Sequence, residues 1–413
     1  MIRFPLAGRK ANARDVKGKE RMKRSCKHID ITKVATIRDW VSWCVSRHYK
    51  KRVDFRRLMV SHGYDEAAEG DESEESWWKA IDSISLLIVN MIKNRKLELA
   101  PVRISEKVDK NSGKVRLIGC ETALQQCMDY VAVFSCEEIW NRRIDIFQAS
   151  SMPGKGQIYA KNLVKKALEK DNARVEYGKR HKIRYSRKFR FSAKTDIKKD
   201  FPSARYPRFI AVFKKDCANE DIVWLWEALL KTHRVYYKKP DGRTELYQGF
   251  MIGALTSQYA MIYMLSFASR RLRNKVNFVA CFMDDFVILD SNRKRMRDSI
   301  LDMEKYLYEE FGLTLKQNWS IQKIANDTPI DFVGYRIYPD GKVELRRRNW
   351  KKIRRYLLLP FLTFKQCKTI ASLKGMIKNS SSYVIYRNYD FKNKWRKVKC
   401  ILRIQNQMNA LSA

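Results

Sequence analysis

The sequence has no cysteine pair at metal-ribbon spacing: its nine cysteines (26, 44, 120, 127, 136, 217, 281, 367 and 400) are scattered, with no C-x-x-C. Structural zinc sites draw on closely spaced ligand pairs, so a zinc ribbon is excluded, and an odd, unclustered set fits reduced thiols in a cytoplasmic protein. Internal repeats and low-complexity tracts are also missing. The first 24 residues are basic but have no apolar core, and so do not read as a secretory signal. Long apolar runs are scarce. One uncharged stretch, residues 246–269, contains Gln248, Thr256, Ser257 and Gln258 between basic flanks. That composition predicts a buried loop and helix, not a membrane span. Acidic residues are too few to balance the basic ones: 45 Asp plus Glu stand against 85 Lys plus Arg, a net charge of +40. A surface so basic repels itself unless a polyanion compensates it, and nucleic acid is the expected partner.

What is present is enough for a globular fold. The 413 residues are 45% hydrophobic and 12% aromatic, which allows one multi-lobed body or two to three subdomains. Residues 1–35 read as a basic, partly flexible arm. Apolar spacing over 36–64 (Ile37, Trp40, Val41, Cys44) predicts helix, and the acidic, small-residue stretch 65–75 predicts a loop. Trp77, Ile81, Ile84, Ile88 and Met91 line one face of a helix over 77–93. Residues 102–108 and 115–118 predict two strands around a turn at 109–113, whose Asn-Ser-Gly chemistry suits a basic hairpin tip. Residues 120–145 predict helix, and strands and helices alternate from 191 to about 345. The last segment, 342–413, holds 19 Lys or Arg against only Glu344 and Asp390, interleaved with aromatic residues. Helices with one apolar and one basic face would present such a pattern to a duplex backbone. Arg346, Arg347, Arg348, Lys351, Lys352, Arg354 and Arg355 are the expected contacts.

The run Phe278-Val-Ala-Cys-Phe-Met-Asp-Asp-Phe-Val-Ile-Leu289 sets two adjacent acids inside an otherwise apolar, strand-like stretch. An unpaired carboxylate is costly in a buried strand. The run therefore predicts two strands joined by a tight turn, with Asp284 and Asp285 facing a cation. A matching acid, Asp196, follows a strand-like run upstream, with Phe201 five residues later. Nucleotidyl transfer uses two divalent cations about 4 Å apart, and hard Mg²⁺ prefers oxygen ligands. Carboxylates from two neighbouring strands meet that need, with Asp200 as a competing acid.

These residues carry a family resemblance. Phe282-Met-Asp-Asp285 resembles the Tyr-x-Asp-Asp box of reverse transcriptases, keeping the ring and dropping the hydroxyl. Asp196-x-x-x-x-Phe201 resembles the preceding palm motif, which implies that Phe201 packs beneath the sugar and selects deoxynucleotides. Ile252-Gly253-Ala254-Leu255-Thr256-Ser257-Gln258 is similar to the Gln-Gly-x-x-x-Ser-Pro loop under the template base. The Ile and Gln variants match diversity-generating retroelement and defence-associated bacterial members. Gly113-Lys-Val-Arg116 resembles the fingers motif that clamps the triphosphate, with Arg116 first and Lys107 or Lys114 second. Ser151–Gln157 resembles the Gly-rich motif before the palm, and Leu313-Thr-Leu-Lys316 the segment bringing a Lys to the pyrophosphate. Phe332-Val-Gly-Tyr335 and Leu345-Arg-Arg-Arg348 look like the primer grip and its exit into the thumb.

The resemblance implies an α+β right-hand polymerase. Its parts would be an N-terminal extension (1–95), fingers (96–190), a palm of antiparallel sheet and helices (191–345), and a helical basic thumb (346–413). It implies two Mg²⁺ ions, with Mn²⁺ as a substitute, held by Asp196, Asp284, Asp285 and the carbonyl of Ile197. Gly253, Ser257, Gln258 and Lys316 would border the dNTP. Expected partners are a structured non-coding RNA template, a DNA product or primer and dNTPs, without a membrane. An oligomer or a small accessory protein stays compatible with the reading. No endonuclease, RNase H or maturase-like zinc segment is legible. That argues against a self-mobile group II intron enzyme, and the long basic ends fit a bacterial antiphage enzyme copying a dedicated RNA, the leading expectation ahead of a diversity-generating retroelement enzyme and a non-catalytic RNA-binding protein.

Overall fold

The computed structural model describes residues 24–108, 113, 115–239, 242–381 and 383–411. The expected helical region 36–64 forms α1 (Val34–His48) and α2 (Val53–Ser61). The amphipathic stretch forms α3 (Gly70–Lys93), which starts earlier than its apolar face suggests. Asp71 and Glu72, assigned by composition to a loop, occupy its first turn, where the helix dipole favours carboxylates. The end of the basic arm is packed: Ser25 bridges to Cys217, and Cys26 and Ile31 are buried. Residues 1–23 lie outside the described residues.

β1 (Arg103–Val108) and β2 (Val115–Cys120) form an antiparallel hairpin. Its turn at 109–112, and Lys114, lie outside the described residues. There follow α4 (Ala123–Phe134), α5 (Glu137–Arg143), α6 (Gln157–Arg180), β3 (Phe191–Asp196), α7 (Asp200–Ser203), α8 (Tyr206–Asp216) and α9 (Glu220–Lys231). Thr122 and Asn219 cap α4 and α9 with their side-chain oxygens, as residues that satisfy free N–H groups do. Next come β4 (Val235–Lys238), β5 (Thr244–Tyr247), α10 (Leu255–Arg273), β6 (Phe278–Phe282), β7 (Asp285–Asp290) and α11 (Arg293–Phe311). The uncharged stretch 246–269 is thus a strand end, a loop and most of α10. No helix among the described residues is long and apolar enough to cross a membrane. The chain closes with β8 (Ile321–Lys323), β9 (Ile330–Phe332), β10 (Tyr335–Ile337), β11 (Val343–Leu345), α12 (Arg347–Leu358), α13 (Phe364–Lys378), α14 (Tyr383–Asn388) and α15 (Phe391–Leu411).

The architecture is α+β, as expected, and divides into two compact units. The first comprises Met1–Pro153, Asp196–Arg271 and Ile300–Gln317. Its core is an aromatic cluster in which Trp140, Phe209, Phe213, Trp226 and Tyr263 meet at ring distances of 5.1 to 6.1 Å. Asp216 is buried beside this cluster but not isolated: Arg143 Nε and the Tyr263 hydroxyl each donate to it at 2.6 Å. Such pairing is the condition for keeping a charge away from water.

The second unit comprises Gly154–Thr195, Leu272–Ser299 and Asn318–Ala413. It is built on a four-stranded sheet in the order β6-β7-β3-β8, with β6–β7 and β3–β8 antiparallel. Residues 279–281 and 286–289 are buried, which explains the unbroken apolar run around the acids. A three-stranded sheet, β11-β10-β9, leads into α12. On that helix Ile353 and Leu357 face inward while Arg347, Arg348, Lys351, Arg354 and Arg355 are exposed.

Candidate active site

The expected tight turn is present. Phe282 pairs with Asp285 across the β6–β7 hairpin, leaving Met283 and Asp284 as its two-residue loop. Met283 has φ +55°, in the left-handed region that costs a side-chain-bearing residue about 1–2 kcal/mol. Strain of this kind persists only where surrounding structure imposes it. Asp285 opens β7, the strand next to β3 in the sheet, and its Oδ2 lies 3.1 Å from Lys194 Nζ on β3.

Asp196 is the last residue of β3. Its carbonyl accepts from the Lys316 N–H at 2.8 Å, and the Lys316 ammonium contacts its Oδ2. Ile197 is buried and bridges antiparallel to Leu315, while the Lys198 N–H donates to the Thr314 carbonyl at 2.8 Å. The segment 313–316 is thereby zipped along 196–198. Lys199 then takes φ +48°, turning the chain into the short α7 that carries Asp200 and Phe201. Burial raises the Asp200 pKa, and the Asp196 charge adds to that rise. Arg116 and Lys316 oppose it, so these four groups share one electrostatic neighbourhood in the first unit.

Phe201 is buried, and its carbonyl accepts from the Phe250 N–H at 2.8 Å. Here the chain allows no side chain at Gly249: a Cβ would sit 2.5 Å from Pro202 Cα and 2.6 Å from the Phe201 carbonyl oxygen. The following loop docks on the β1–β2 hairpin, where the Gly119 N–H donates to Ile252 O at 3.0 Å. Gly253, at φ +113°, could carry no Cβ farther than 3.0 Å from the Gly119 carbonyl oxygen. Ser257 sits behind the surface, fully buried, whereas Gln258 is half-buried with its N–H bonded to Ala254 O at 3.3 Å.

Lys107 and Arg116 are paired residues of the β1–β2 ladder, so both project from one face of the hairpin, exposed. Lys114 lies outside the described residues. Of the basic residues expected on duplex, Arg346 is tied to Asp331 and Lys352 is half-buried, while the other five are exposed. The expected primer grip is the β9–β10 hairpin, with Val333 and Gly334 as its turn.

The donor set suits a hard divalent cation. Asp196 Oδ1 is buried without a hydrogen-bond partner, a costly state for a carboxylate oxygen that a metal ion would relieve. Lysine ammoniums meet the other oxygen of Asp196 and one oxygen of Asp285. Among the described residues no group of three or more His, Cys, Asp or Glu forms a ready-made metal cage. Mg²⁺ at phosphoryl-transfer sites usually has one or two carboxylates and takes its remaining ligands from water and substrate phosphates.

A family model described as "Reverse transcriptase (RNA-dependent DNA polymerase)" matches residues 108–337, which contain every acid considered above. The chain belongs to the reverse transcriptase family. No curated protein matches it. Solved structures similar to this reverse transcriptase include three of telomerases from two Candida species. The truncated apo enzyme of Candida tropicalis has 13% identity and a TM-score of 0.41, over 67% of this chain and 68% of that one. The Candida albicans enzyme with a telomeric RNA fragment has 10% and 0.44, over 86% and 70%. The longer apo Candida tropicalis structure has 11% and 0.39, over 91% and 85%. Likeness at that level carries no inference of function.

Several residues around the site escape sequence reasoning. Gly249 has no local signature beyond being a glycine beside an aromatic residue. Glu121, Asp129 and His233 are far apart in sequence, and only the fold gathers them behind the 253–258 segment.

Proposed function

We propose that this reverse transcriptase copies an RNA template into DNA with Asp196, Asp284 and Asp285 as its metal-binding carboxylates and the Ile197 carbonyl as a further ligand. The observation that carries the reading is the partnerless buried oxygen of Asp196 at the end of β3, together with Asp284 and Asp285 at the β6–β7 turn in the second unit. Two Mg²⁺ ions, when bound, would activate the primer 3′ hydroxyl and neutralise the triphosphate. Arg116 and Lys107 bind triphosphate oxygens from one face of the hairpin, Arg as a planar fork and Lys as a point charge. Lys316, whose ammonium lies at Asp196, would offer its charge to the pyrophosphate. Phe201 excludes a 2′ hydroxyl, and Gly253–Gln258 supports the nascent pair. In this reading residues 96–190 are fingers, 191–345 palm and 346–413 a thumb that holds the duplex.

The template we favour is a structured non-coding RNA in a bacterial antiphage system. The strongly basic ends and the Ile252 and Gln258 variants support it. The same two variants support a diversity-generating retroelement enzyme with a small basic partner as the second reading.

The test is Mg²⁺-dependent dNTP incorporation by purified protein with its co-purified RNA, beside Asp284→Ala/Asp285→Ala. Wild type should incorporate dNTPs over NTPs. The variant should lose on the order of a thousandfold in rate, the several kcal/mol that metal ions contribute, while binding RNA normally. Undiminished synthesis by the variant would refute the metal assignment. RNA binding without any synthesis would indicate a non-catalytic protein. Sequencing the product identifies the template.

A further inference from the structure

Behind the 253–258 segment, the first unit holds a line of buried polar side chains that the proposed chemistry does not use. Glu121 Oε1 lies 3.3 Å from His233 Nε2, and His233 Nδ1 lies 3.3 Å from the Ser257 hydroxyl. Beside them, Asp129 on α4 accepts from the Thr256 N–H at 3.1 Å and from the Thr256 hydroxyl at 3.1 and 3.2 Å. Gln125 on α4 completes the group, 2.8 Å from the Thr232 hydroxyl and 3.5 Å from Glu121 Oε1. Asp129, His233, Thr256 and Ser257 have no exposed surface, and Glu121 is 4% exposed. A Glu–His–Ser line so enclosed admits no substrate and is not a nucleophilic triad. Buried polar groups that satisfy one another specify one local geometry. Here the geometry specified is that of the first turn of α10, where Thr256 and Ser257 lie.

We propose that Glu121, His233 and Asp129 are positioning residues that fix Thr256 and Ser257, and through them the 253–258 segment, against the incoming nucleotide. The inference rests on the reading that this segment supports the nascent pair.

The line also has two proton arrangements. With Glu121 ionised, the His233 Nε2–H donates to it and Nδ1 accepts from the Ser257 hydroxyl. With Glu121 protonated, its O–H donates to Nε2, the imidazole takes the other tautomer, and Nδ1–H donates to Ser257. Burial raises the Glu121 carboxyl to about 7, opposed by Arg52, whose guanidinium donates to the Glu121 carbonyl at 3.1 Å. Burial also lowers His233 to about 4, so the ring is neutral in both arrangements. Asp129 also faces the line, and burial and Glu121 push its carboxyl well above its usual range; the buried Cys44 thiol and Tyr130 hydroxyl lie next to it.

The experiment compares wild type, Glu121→Ala and Glu121→Gln in full-length protein, reading dNTP KM and kcat from pH 6 to 8 and amide exchange at residues 253–258. Glu121→Ala should raise dNTP KM on the order of tenfold with a smaller change in kcat, and should speed exchange in the segment. Glu121→Gln keeps the acceptor for His233, so it should restore KM and slow exchange. It should also flatten a KM change near pH 7 that wild type shows. Faster exchange in Glu121→Ala with unchanged KM would reduce the line to packing and overturn the proposal, as would unchanged exchange. If wild type incorporates no nucleotide while the exchange pattern responds as expected, the polymerase reading fails, and the positioning role in synthesis falls with it.

Discussion

Gly249 leaves the chain beside Phe201 no tolerance: any Cβ there meets backbone of residues 201 and 202, which cannot swing aside as a flexible side chain would. Gly249→Ala is therefore expected to destabilise the protein by about 1–3 kcal/mol, the usual cost of overpacking. It should also push Phe201 out of place and weaken discrimination of dNTP from NTP. Thermal melting and paired incorporation assays would test both effects, and a variant indistinguishable from wild type would refute the close approach. Glu121 gives a prediction of opposite character. Its folded pKa of about 7 lies above the ordinary glutamate value, so the stability tied to its protonated form is full below about 4.5 and lost as pH rises through 7. Gln carries no such penalty. The melting temperature of Glu121→Gln relative to wild type should rise between pH 5 and pH 8, by the equivalent of up to about 3 kcal/mol. A pH-independent difference would mean that Glu121 titrates normally. These two residues also mark the limit of sequence reading. The Asp284–Asp285 pair stands out as a candidate because charge inside an apolar run is locally anomalous, and Asp196 stands out by its spacing to Phe201. Glu121 and His233 become anomalous only once the fold has buried them together.

At the scale of elements, legibility follows periodicity and turn chemistry. The β6–β7 hairpin can be read from its apolar run with two acids at the centre, and α3 from its apolar face. The start of α3 is missed because acids and small residues suit both a loop and a helix N-terminus, and packing decides between them. The last segment is expected to be helical but without individual helix bounds, yet α13 has a full capping box, Thr363 with Gln366, that fixes where it begins. Inside that helix Gly375 is exposed, its φ is not positive, and nothing lies within 4 Å of an added Cβ. No packing or backbone reason requires glycine there. Gly375→Ala should stabilise the protein by about 0.5–1 kcal/mol through lower unfolded-chain entropy and better helix propensity. A chemical-denaturation midpoint shifted upward with unchanged activity would bear this out. A loss of stability would mean that α13 packs more tightly at this point than the structure shows.

For the whole molecule the governing quantity is the net charge of +40, which composition gives directly but which says nothing of where nucleic acid lies. α12 supplies the placement. Ile353 and Leu357 bind the helix to its own unit, and Arg347, Arg348, Lys351, Arg354 and Arg355 are left exposed. If these five contact phosphates, each releases condensed counterions on binding, and the slope of log K against log salt records how many do so, at about 0.9 per contact on duplex DNA. Replacing Arg347, Lys351 and Arg354 together by Gln should lower the magnitude of that slope by roughly two to three and weaken duplex binding most at low salt. Melting temperature should hardly move, because the substituted side chains are exposed. Intrinsic dNTP incorporation at saturating primer–template should persist, because the carboxylates lie elsewhere in the sequence. An unchanged slope would make α12 an ordinary solvated face and shift the duplex to another basic surface of the chain. A reduced slope with a retained catalytic rate would separate, in one protein, the residues that hold the duplex from those that extend it.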